Sequence, residues 1–383
     1  MPEAQEDVLL RLSGIGKKYP GVIALDGVDL EFRRGELHAL CGENGAGKST
    51  LSKIIAGIVT SSAGEMFFRG SRFEPEDKRD AEELGIRMVM QELNLISTLT
   101  VAENIFLNRM PSRMGLLDRK RLKKETQALL NEVGLERLDT DAMVSDLGVG
   151  QQQMVEIAAG FSQKCELLIL DEPTASLTDS ERELLFVQIE RLKKEGVCII
   201  YISHRMEEIK RISDRITILR DGVLRGTRNT DEVDTDEIIR MMVGREVGGA
   251  LVSDDRKVAS ELALRVKGIG RGRAARDVSF DLRKGEILGF AGMMGSGRTE
   301  LMRLIFGADP KDAGEVYIGD DKSPVAIGSP KDAVRAGLAM LTEDRKEQGL
   351  LLPQAISVNT SLARLAGVAS RGWIRRDEEV SVA

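Results

Sequence analysis

At 383 residues the chain is long enough for two or three domains, each with its own core. Its 42% hydrophobic and 31% charged residues exclude wholesale disorder, and no apolar run approaches the roughly 18–20 residues that span a bilayer. A net charge of −7 disfavours a nucleic-acid partner, the acidic start lacks an export signal, and Cys41, Cys165 and Cys198 match neither a disulfide framework nor a metal spacing, so a reducing cytosol is expected.

Short β-rich runs alternate with helical patterns through the first 230 or so residues, which predicts a largely parallel α/β sheet. The run 37–40 reads as a buried strand, with His38 a structural residue inside it. It feeds Gly42-Glu43-Asn44-Gly45-Ala46-Gly47-Lys48-Ser49, which fits G-x-x-x-x-G-K-S/T at every fixed position, and 49–56 reads as the helix that follows. In such a loop, successive backbone N–H groups at a helix N-terminus face an anion, and glycines let the chain come close. Lys48 reaches the β/γ-phosphates and the Ser49 hydroxyl can hold Mg²⁺. With Thr50, these residues are the candidate ATP-binding set.

Helical patterns over 119–133 and 151–160 predict a side subdomain. The strand 166–170 ends in Asp171-Glu172, so a buried strand delivers two carboxylates to the lip of the sheet. There Asp171 can support Mg²⁺ and Glu172 can polarise an attacking water. A further core strand is expected at 197–202, and Asp221-Gly222 between two β-rich runs signals a hairpin. Periodicity breaks between 244 and 261, and the basic stretch 270–276 reads as a solvated loop.

The chain also repeats itself. Gly35-Glu36-Leu37 recurs as Gly285-Glu286-Ile287, Gly42 and Gly47 recur as Gly292 and Gly297, and Ala63-Gly64-Glu65 recurs as Ala313-Gly314-Glu315, all at one offset of 250. After two extra residues Gly85-Ile86-Arg87-Met88 lines up with Gly337-Leu338-Ala339-Met340. This is a domain-scale duplication. The second loop carries Arg298 where the first has Lys48, and a guanidinium does not replace a compact ammonium.

Asp171-Glu172-Pro173-Thr174-Ala175-Ser176-Leu177-Thr178, then Ser203-His204, with Gln91 after the run Met88-Val89-Met90, resembles an ATP-binding-cassette nucleotide-binding domain. Gln151-Gln152-Gln153-Met154-Val155-Glu156-Ile157-Ala158, Glu103-Asn104-Ile105-Phe106-Leu107 and Glu343-Asp344-Arg345-Lys346 are similar to the tandem ATPase subunits of bacterial monosaccharide importers of the ribose, galactose, methyl-galactoside, arabinose and xylose type. The resemblance covers nearly the whole chain.

It implies an α/β fold: a P-loop (RecA-like) nucleotide-binding core with an antiparallel β subdomain and a helical subdomain, duplicated in tandem with the second copy incomplete. The first cassette is expected over 1–245, a linker over 246–261 and a degenerate second cassette over 262–383. It further implies that Tyr19 stacks on adenine, that Gln91 senses Mg²⁺ and the attacking water, and that His204 contacts the γ-phosphate. Leu147-Gly148-Val149-Gly150-Gln151 stands for the signature segment that caps a nucleotide held by an opposite cassette. Gly148 replaces the usual serine there, a variant that leans towards the xylose members.

The implied cofactors are ATP and Mg²⁺. The implied partners are integral-membrane permease subunits, a periplasmic sugar-binding protein indirectly and a second ATPase copy, with no nucleic acid, at the cytoplasmic face of the bacterial inner membrane. Counterparts of Leu147, Asp171 and His204 in the second repeat fall past residue 383. The expectation is therefore a chain that binds MgATP but turns it over poorly unless a second copy supplies the signature. Two alternatives stay open: a soluble tandem cassette acting on ribosomes or DNA, and a fragment that binds ATP without hydrolysing it.

Overall fold

The computed structural model describes residues 7–90, 93–107, 109–161, 165–244, 258–292, 295–342 and 348–383. The chain forms two compact units, Met1–Ala250 and Leu251–Ala383. The expected linker lies largely outside the described residues, as do Gln91 and the run 343–346.

The first unit opens with β1 (Val8–Tyr19) and β2 (Val22–Arg33), an antiparallel pair, then β3 (Leu37–Cys41) and α1 (Lys48–Ile55). Next come β4 (Ala63–Phe68), β5 (Ser71–Phe73), α2 (Lys78–Glu83) and β6 (Ile86–Val89). A helical part follows: α3 (Val101–Ile105), a two-rung hairpin β7 (Ser112–Arg113) and β8 (Leu116–Leu117), α4 (Arg119–Glu132) and α5 (Val149–Phe161). The chain then returns to the sheet with β9 (Leu167–Asp171), α6 (Asp179–Lys194), β10 (Cys198–Ile202), α7 (Met206–Ile212), β11 (Arg215–Arg220), β12 (Val223–Asn229) and α8 (Thr235–Val243).

The main sheet has the order β12-β11-β3-β10-β9-β6, parallel except for the β11–β12 hairpin. Every residue of β3, β9 and β10 is buried, as expected where a parallel sheet is covered on both faces. Alternation along each strand divides the two cores. Ile169, Ile200 and Ile202 face the four-stranded sheet β2-β1-β4-β5 and α1, whereas Leu168, Leu170, Ile199 and Tyr201 face α3, α4, α5 and α6. The strands, helices and hairpin read from the sequence therefore all form, with ends shifted by one or two residues.

His38 sits on β3 with no exposed surface. Its Nδ1 lies 2.9 Å from Glu36 Oε1 and its Nε2 2.6 Å from Thr217 Oγ1, which in turn lies 2.7 Å from Thr227 Oγ1. A carboxylate only accepts, so Nδ1 carries the proton and Nε2 accepts from the threonine. Burial pushes the imidazole below its ordinary value against the pull of Glu36, which keeps it neutral. The chain of bonds pins β3 to β11 behind the glycine loop.

In the second unit β13 (Leu262–Arg271), β14 (Ala275–Arg283), α9 (Arg298–Phe306), β15 (Ala313–Ile318) and α10 (Pro330–Arg335) repeat β1, β2, α1, β4 and α2. They are followed by α11 (Ile356–Leu362), β16 (Ala369–Ser370), β17 (Trp373–Ile374) and α12 (Arg376–Val382). One expectation is corrected. The stretch 270–276 is not a free loop, because it contains the ends of β13 and β14 and the tight turn between them. The counterpart of β3 (287–291) carries no ladder, and its Ile287, Leu288 and Phe290 are exposed. β3, by contrast, is held between β10 and β11.

Thr217→Val keeps the shape of the side chain but leaves His38 Nε2 and the Thr227 hydroxyl without their buried partner. Urea unfolding should show a loss of about 1–3 kcal/mol relative to the parent chain.

Candidate functional site

The site begins where β3 leaves the sheet. Gly42 has φ +155, and a Cβ there would lie 2.3 Å from the Leu219 carbonyl oxygen. Gly47 has φ +103, and its Cβ would meet Ala24 O at 2.7 Å. Only glycine serves at either place. The β11–β12 turn supports the loop from behind, with Gly222 N donating to Ala46 O at 3.2 Å and Asp26 N to Gly222 O at 2.9 Å.

Helix α1 starts at Lys48 with no side-chain cap, unlike α2, α3, α4, α6 and α8, each capped by an Asp or Thr. Its first N–H groups and the positive end of its dipole are thus left for an external anion. Lys48 is buried, and its Nζ donates to the carbonyls of Gly42 at 2.7 Å and Glu43 at 2.9 Å. Burial lowers the ammonium's pKa, while Glu172 and Asp171 pull it back up.

β9 and β10 run parallel in register, Asp171 facing Ile202, so both strands end on one line. Asp171 is buried, and burial raises its carboxyl pKa, with Glu172 adding to the rise and the Ser49 hydroxyl and Lys48 opposing it. The Ser49–Asp171 hydrogen bond ties the helix start to the strand end. Among the described residues no cluster of three or more Asp, Glu, His or Cys could cage a metal ion. One hydroxyl beside one carboxylate is instead the partial donor set that suits Mg²⁺ shared with phosphates. The residues fit that ion.

Glu172 has φ +49, a left-handed conformation that a long side chain adopts only under constraint. Its backbone N donates to Ile202 O at 2.9 Å, and its Oε1 lies 3.1 Å from His204 Nδ1. The turn after β9 thus places the second carboxylate against the exposed histidine that follows β10. Glycine loop, acidic pair and histidine gather at the carboxyl ends of adjacent parallel strands, where open α/β sheets bind ligands.

Tyr19 ends β1 with an exposed ring, and Lys17 Nζ lies 5.1 Å from its centroid. The segment 147–151 sits elsewhere, at the start of α5. Its side-chain hydrogen bonds are local: Gly148 N to Gln151 Oε1 at 3.3 Å, and Gln152 Nε2 to Leu147 O at 3.1 Å. A Cβ on Gly148 would meet nothing within 4 Å, so space does not explain the missing serine. A Cβ on Gly150 would press against the Glu181 carboxylate at 2.6 Å. In the second unit Arg298 is exposed, in contrast to Lys48, and Met293 and Met294 lie outside the described residues.

A sequence profile of the ABC transporter family matches residues 25–175 and 275–371, which is more than half of the chain. The chain belongs to the ABC transporter family. A Rubrobacter xylanophilus ribose import ATP-binding protein is 46% identical over 375 residues, covering 98% of this chain and 74% of that protein. A Burkholderia ambifaria protein named for ribose/galactose/methyl galactoside import is 46% identical over 375 residues, covering 98% and 72%. Among solved structures, a nucleotide-free ATP-binding cassette from an ABC transporter superposes with TM-score 0.54 at 22% identity, over 62% of this chain and 96% of that one. That likeness shows the cassette fold.

Two residues to which the sequence assigns no individual role bear on the cassette's site. Glu208, in the first turn of α7, is buried. Its Oε2 accepts from Thr174 Oγ1 at 2.8 Å, Tyr201 OH at 2.9 Å and Ser203 Oγ at 3.5 Å, and its Oε1 faces Arg205 Nη1 at 3.3 Å. One carboxylate thus ties the turn after Asp171-Glu172 to the strand end that carries His204. The only signal in the sequence was its spacing, four residues beyond His204, and Glu207 beside it looks the same. Glu156, on α5, accepts from Asn94 N at 3.3 Å and Asn94 Nδ2 at 3.5 Å, joining the segment at 94 to the helix that follows Leu147-Gly148. Burial pushes its carboxyl up to about 7 against the two Asn94 donors.

Glu208→Gln keeps the shape and removes the charge. Turnover should fall about tenfold, equivalent to about 1.4 kcal/mol in the barrier. Nucleotide affinity should stay within about twofold, a split that steady-state kinetics with a parallel binding titration resolves. Glu156 holds its proton in the folded state up to about pH 7, whereas the unfolded chain releases it near 4.5, so stability falls as pH rises between these values. Glu156→Gln removes that loss. Its advantage over the parent should be near zero at about pH 4.5 and about 1–2 kcal/mol at about pH 8, after allowing for solvent screening, as read from denaturant unfolding across pH.

Proposed function

We propose that the chain is the ATP-binding and ATP-hydrolysing subunit of a monosaccharide importer, taking a pentose or hexose of the ribose or galactose kind. The observation that carries the chemistry is the meeting of Lys48, Asp171, Glu172 and His204 at one edge of the sheet. The transport role is supported by 46% identity along 98% of the chain to ribose import ATP-binding proteins.

In this reading the uncapped N–H groups of residues 45–49 receive the β- and γ-phosphates. Lys48 exchanges the carbonyls of Gly42 and Glu43 for phosphate oxygens, while Glu172 and Asp171 favour its charged form. Mg²⁺, bound with the nucleotide, supplies positive charge at the phosphates. Ser49 and Asp171 hold it, Tyr19 stacks on the base, and Gln91 reports on the site. Glu172 polarises the water through its carboxylate, and His204, hydrogen-bonded to Glu172 Oε1, steadies that carboxylate and contacts the γ-phosphate.

The segment 147–151 caps a nucleotide held by an opposite cassette, so a second ATPase copy belongs to the working assembly. No helix among the described residues is long and apolar enough to cross a membrane. By the import role named for its relatives, the sugar path lies in permease partners, fed by a periplasmic sugar-binding protein, with this chain at the cytoplasmic face and no nucleic acid involved.

Lys48→Ala should weaken MgATP binding by about a hundredfold, since a charged contact to phosphate is lost. Glu172→Gln should keep nucleotide affinity within about threefold while turnover falls by about 10²–10⁴. Nucleotide titration beside phosphate-release kinetics separates the two, and a Glu172→Gln variant that hydrolyses like the parent would sink the assignment. Uptake of labelled ribose and galactose by cells lacking the gene, against cells carrying it, tests the transport role.

A further inference from the structure

The hairpin β7–β8 contributes nothing to either core, yet it is built from large apolar residues. Its turn has positive φ at Met114 (+54) and Gly115 (+79), with Arg113 paired to Leu116 and Ser112 to Leu117. Met114 is 96% exposed, Leu116 is 75% exposed, and Leu117 also faces solvent. A ladder of two rungs is too short to hold itself together in water, and three bulky apolar side chains at a tip gain nothing there.

The surroundings are strongly basic. Between residues 112 and 124 lie Arg113, Arg119, Lys120, Arg121, Lys123 and Lys124, all exposed, against the single carboxylate of Asp118, in a chain whose net charge is −7. Asp118 is spent on capping α4, accepting from Arg121 N at 3.0 Å. Arg121 pairs with Glu125 and Lys123 with Asp141, while Arg113, Lys120 and Lys124 have no ion-pair partner among the described residues. Helix α4 buries Leu122, Thr126 and Leu130, so its cations line the outward face next to the apolar tip.

The hairpin turn occurs twice. In the second unit β16–β17 has the same turn, with positive φ at Arg371 (+50) and Gly372 (+85), an 80% exposed Trp373 followed by Ile374, and then Arg375-Arg376 at the start of a helix. There Met114 is replaced by Arg371, Asp377, Glu378 and Glu379 fill the first turn of α12, and Arg375 pairs with Glu378, so the hairpin shape recurs without the cationic helix face.

We propose that the β7–β8 hairpin is an interfacial anchor, inserting Met114, Leu116 and Leu117 among the headgroups of an anionic bilayer while the cations of 113–124 face acidic phospholipid. An apolar tip beside a cationic helix face is the arrangement of segments that lie in a membrane interface. The cations are long and spread over the hairpin and the first two turns of α4, which suits laterally mobile headgroups better than the fixed carboxylates of a protein groove. The anchor acts on the bilayer itself, independently of any permease and of what the ATPase drives.

Co-sedimentation of the purified 383-residue chain with large vesicles tests this. The chain should pellet with phosphatidylcholine vesicles containing about 30% phosphatidylglycerol at low salt, and at least about tenfold less with pure phosphatidylcholine or in about 0.5 M salt. Met114→Ser with Leu116→Ser should lower partitioning at least about tenfold with every charge intact, and Lys120→Glu with Lys124→Glu should do the same with the tip intact. Unchanged binding of a fluorescent ATP analogue by each variant shows that it is folded. Absence of binding to the anionic vesicles overturns the proposal, including the case in which the chain binds only an acidic protein. So does parent-like partitioning of the serine variant.

Discussion

The registered parallel ladder between β9 and β10 is the constraint on which the rest of the site depends. Each strand is buried along its whole length, and β9 is apolar up to Asp171, so neither can slip without moving side chains into the wrong core. The rung that sets Asp171 opposite Ile202 then determines everything past it. Glu172 leaves the ladder one residue later with its N–H still held by Ile202 O, and its left-handed backbone turns the carboxylate towards His204. The same sheet carries β3 beside β10, so the glycine loop emerges at the same edge. Chemistry at this edge is a product of strand register, not of any loop acting alone.

The two units show what the sheet supplies. Both have a glycine in the left-handed region at the start of a helix, Gly47 and Gly297, and both helices lack a side-chain cap. In the first unit the loop follows a strand held on both sides, and Lys48 is buried under two carboxylates. In the second the run 287–291 has no ladder, and Arg298 stands exposed. The local motif forms in both places. Only the tertiary setting of the first gives its cation a low-dielectric surrounding and acidic neighbours.

This difference explains how far the sequence could be read. Largely apolar runs at 37–40, 167–170 and 197–202 are strong signals because such strands are buried on both faces, and Asp221-Gly222 is strong because that turn requires positive φ at both residues. Glu208 was illegible because its meaning lies in three donors from other elements, and nothing local separates it from Glu207. The ladder missing at 287–291 was illegible for the same reason: the run copies β3 in character, but pairing belongs to its neighbours. Helix α4 was read correctly as a helix, but the charge pattern on its outward face acquires meaning only beside the hairpin that precedes it.

Glu172 and Glu208 together suggest how the edge keeps its shape. A left-handed glutamate costs about 1–3 kcal/mol and persists only where its surroundings over-determine it. On one side the Ile202 carbonyl holds its N–H. On the other, the turn that follows is tied through Thr174 to Glu208, which also grips Tyr201 and Ser203 at the end of β10. Burial raises the Tyr201 hydroxyl, so it remains a donor, and the carboxylate it meets is satisfied on both oxygens. The strain at Glu172 is therefore carried by a closed set of hydrogen bonds linking the two strand ends, and a change at either end is felt at the other. A histidine and a carboxylate 3.1 Å apart, each just past the end of its strand, stay in that relation because a third acid, Glu208, is buried and holds both turns.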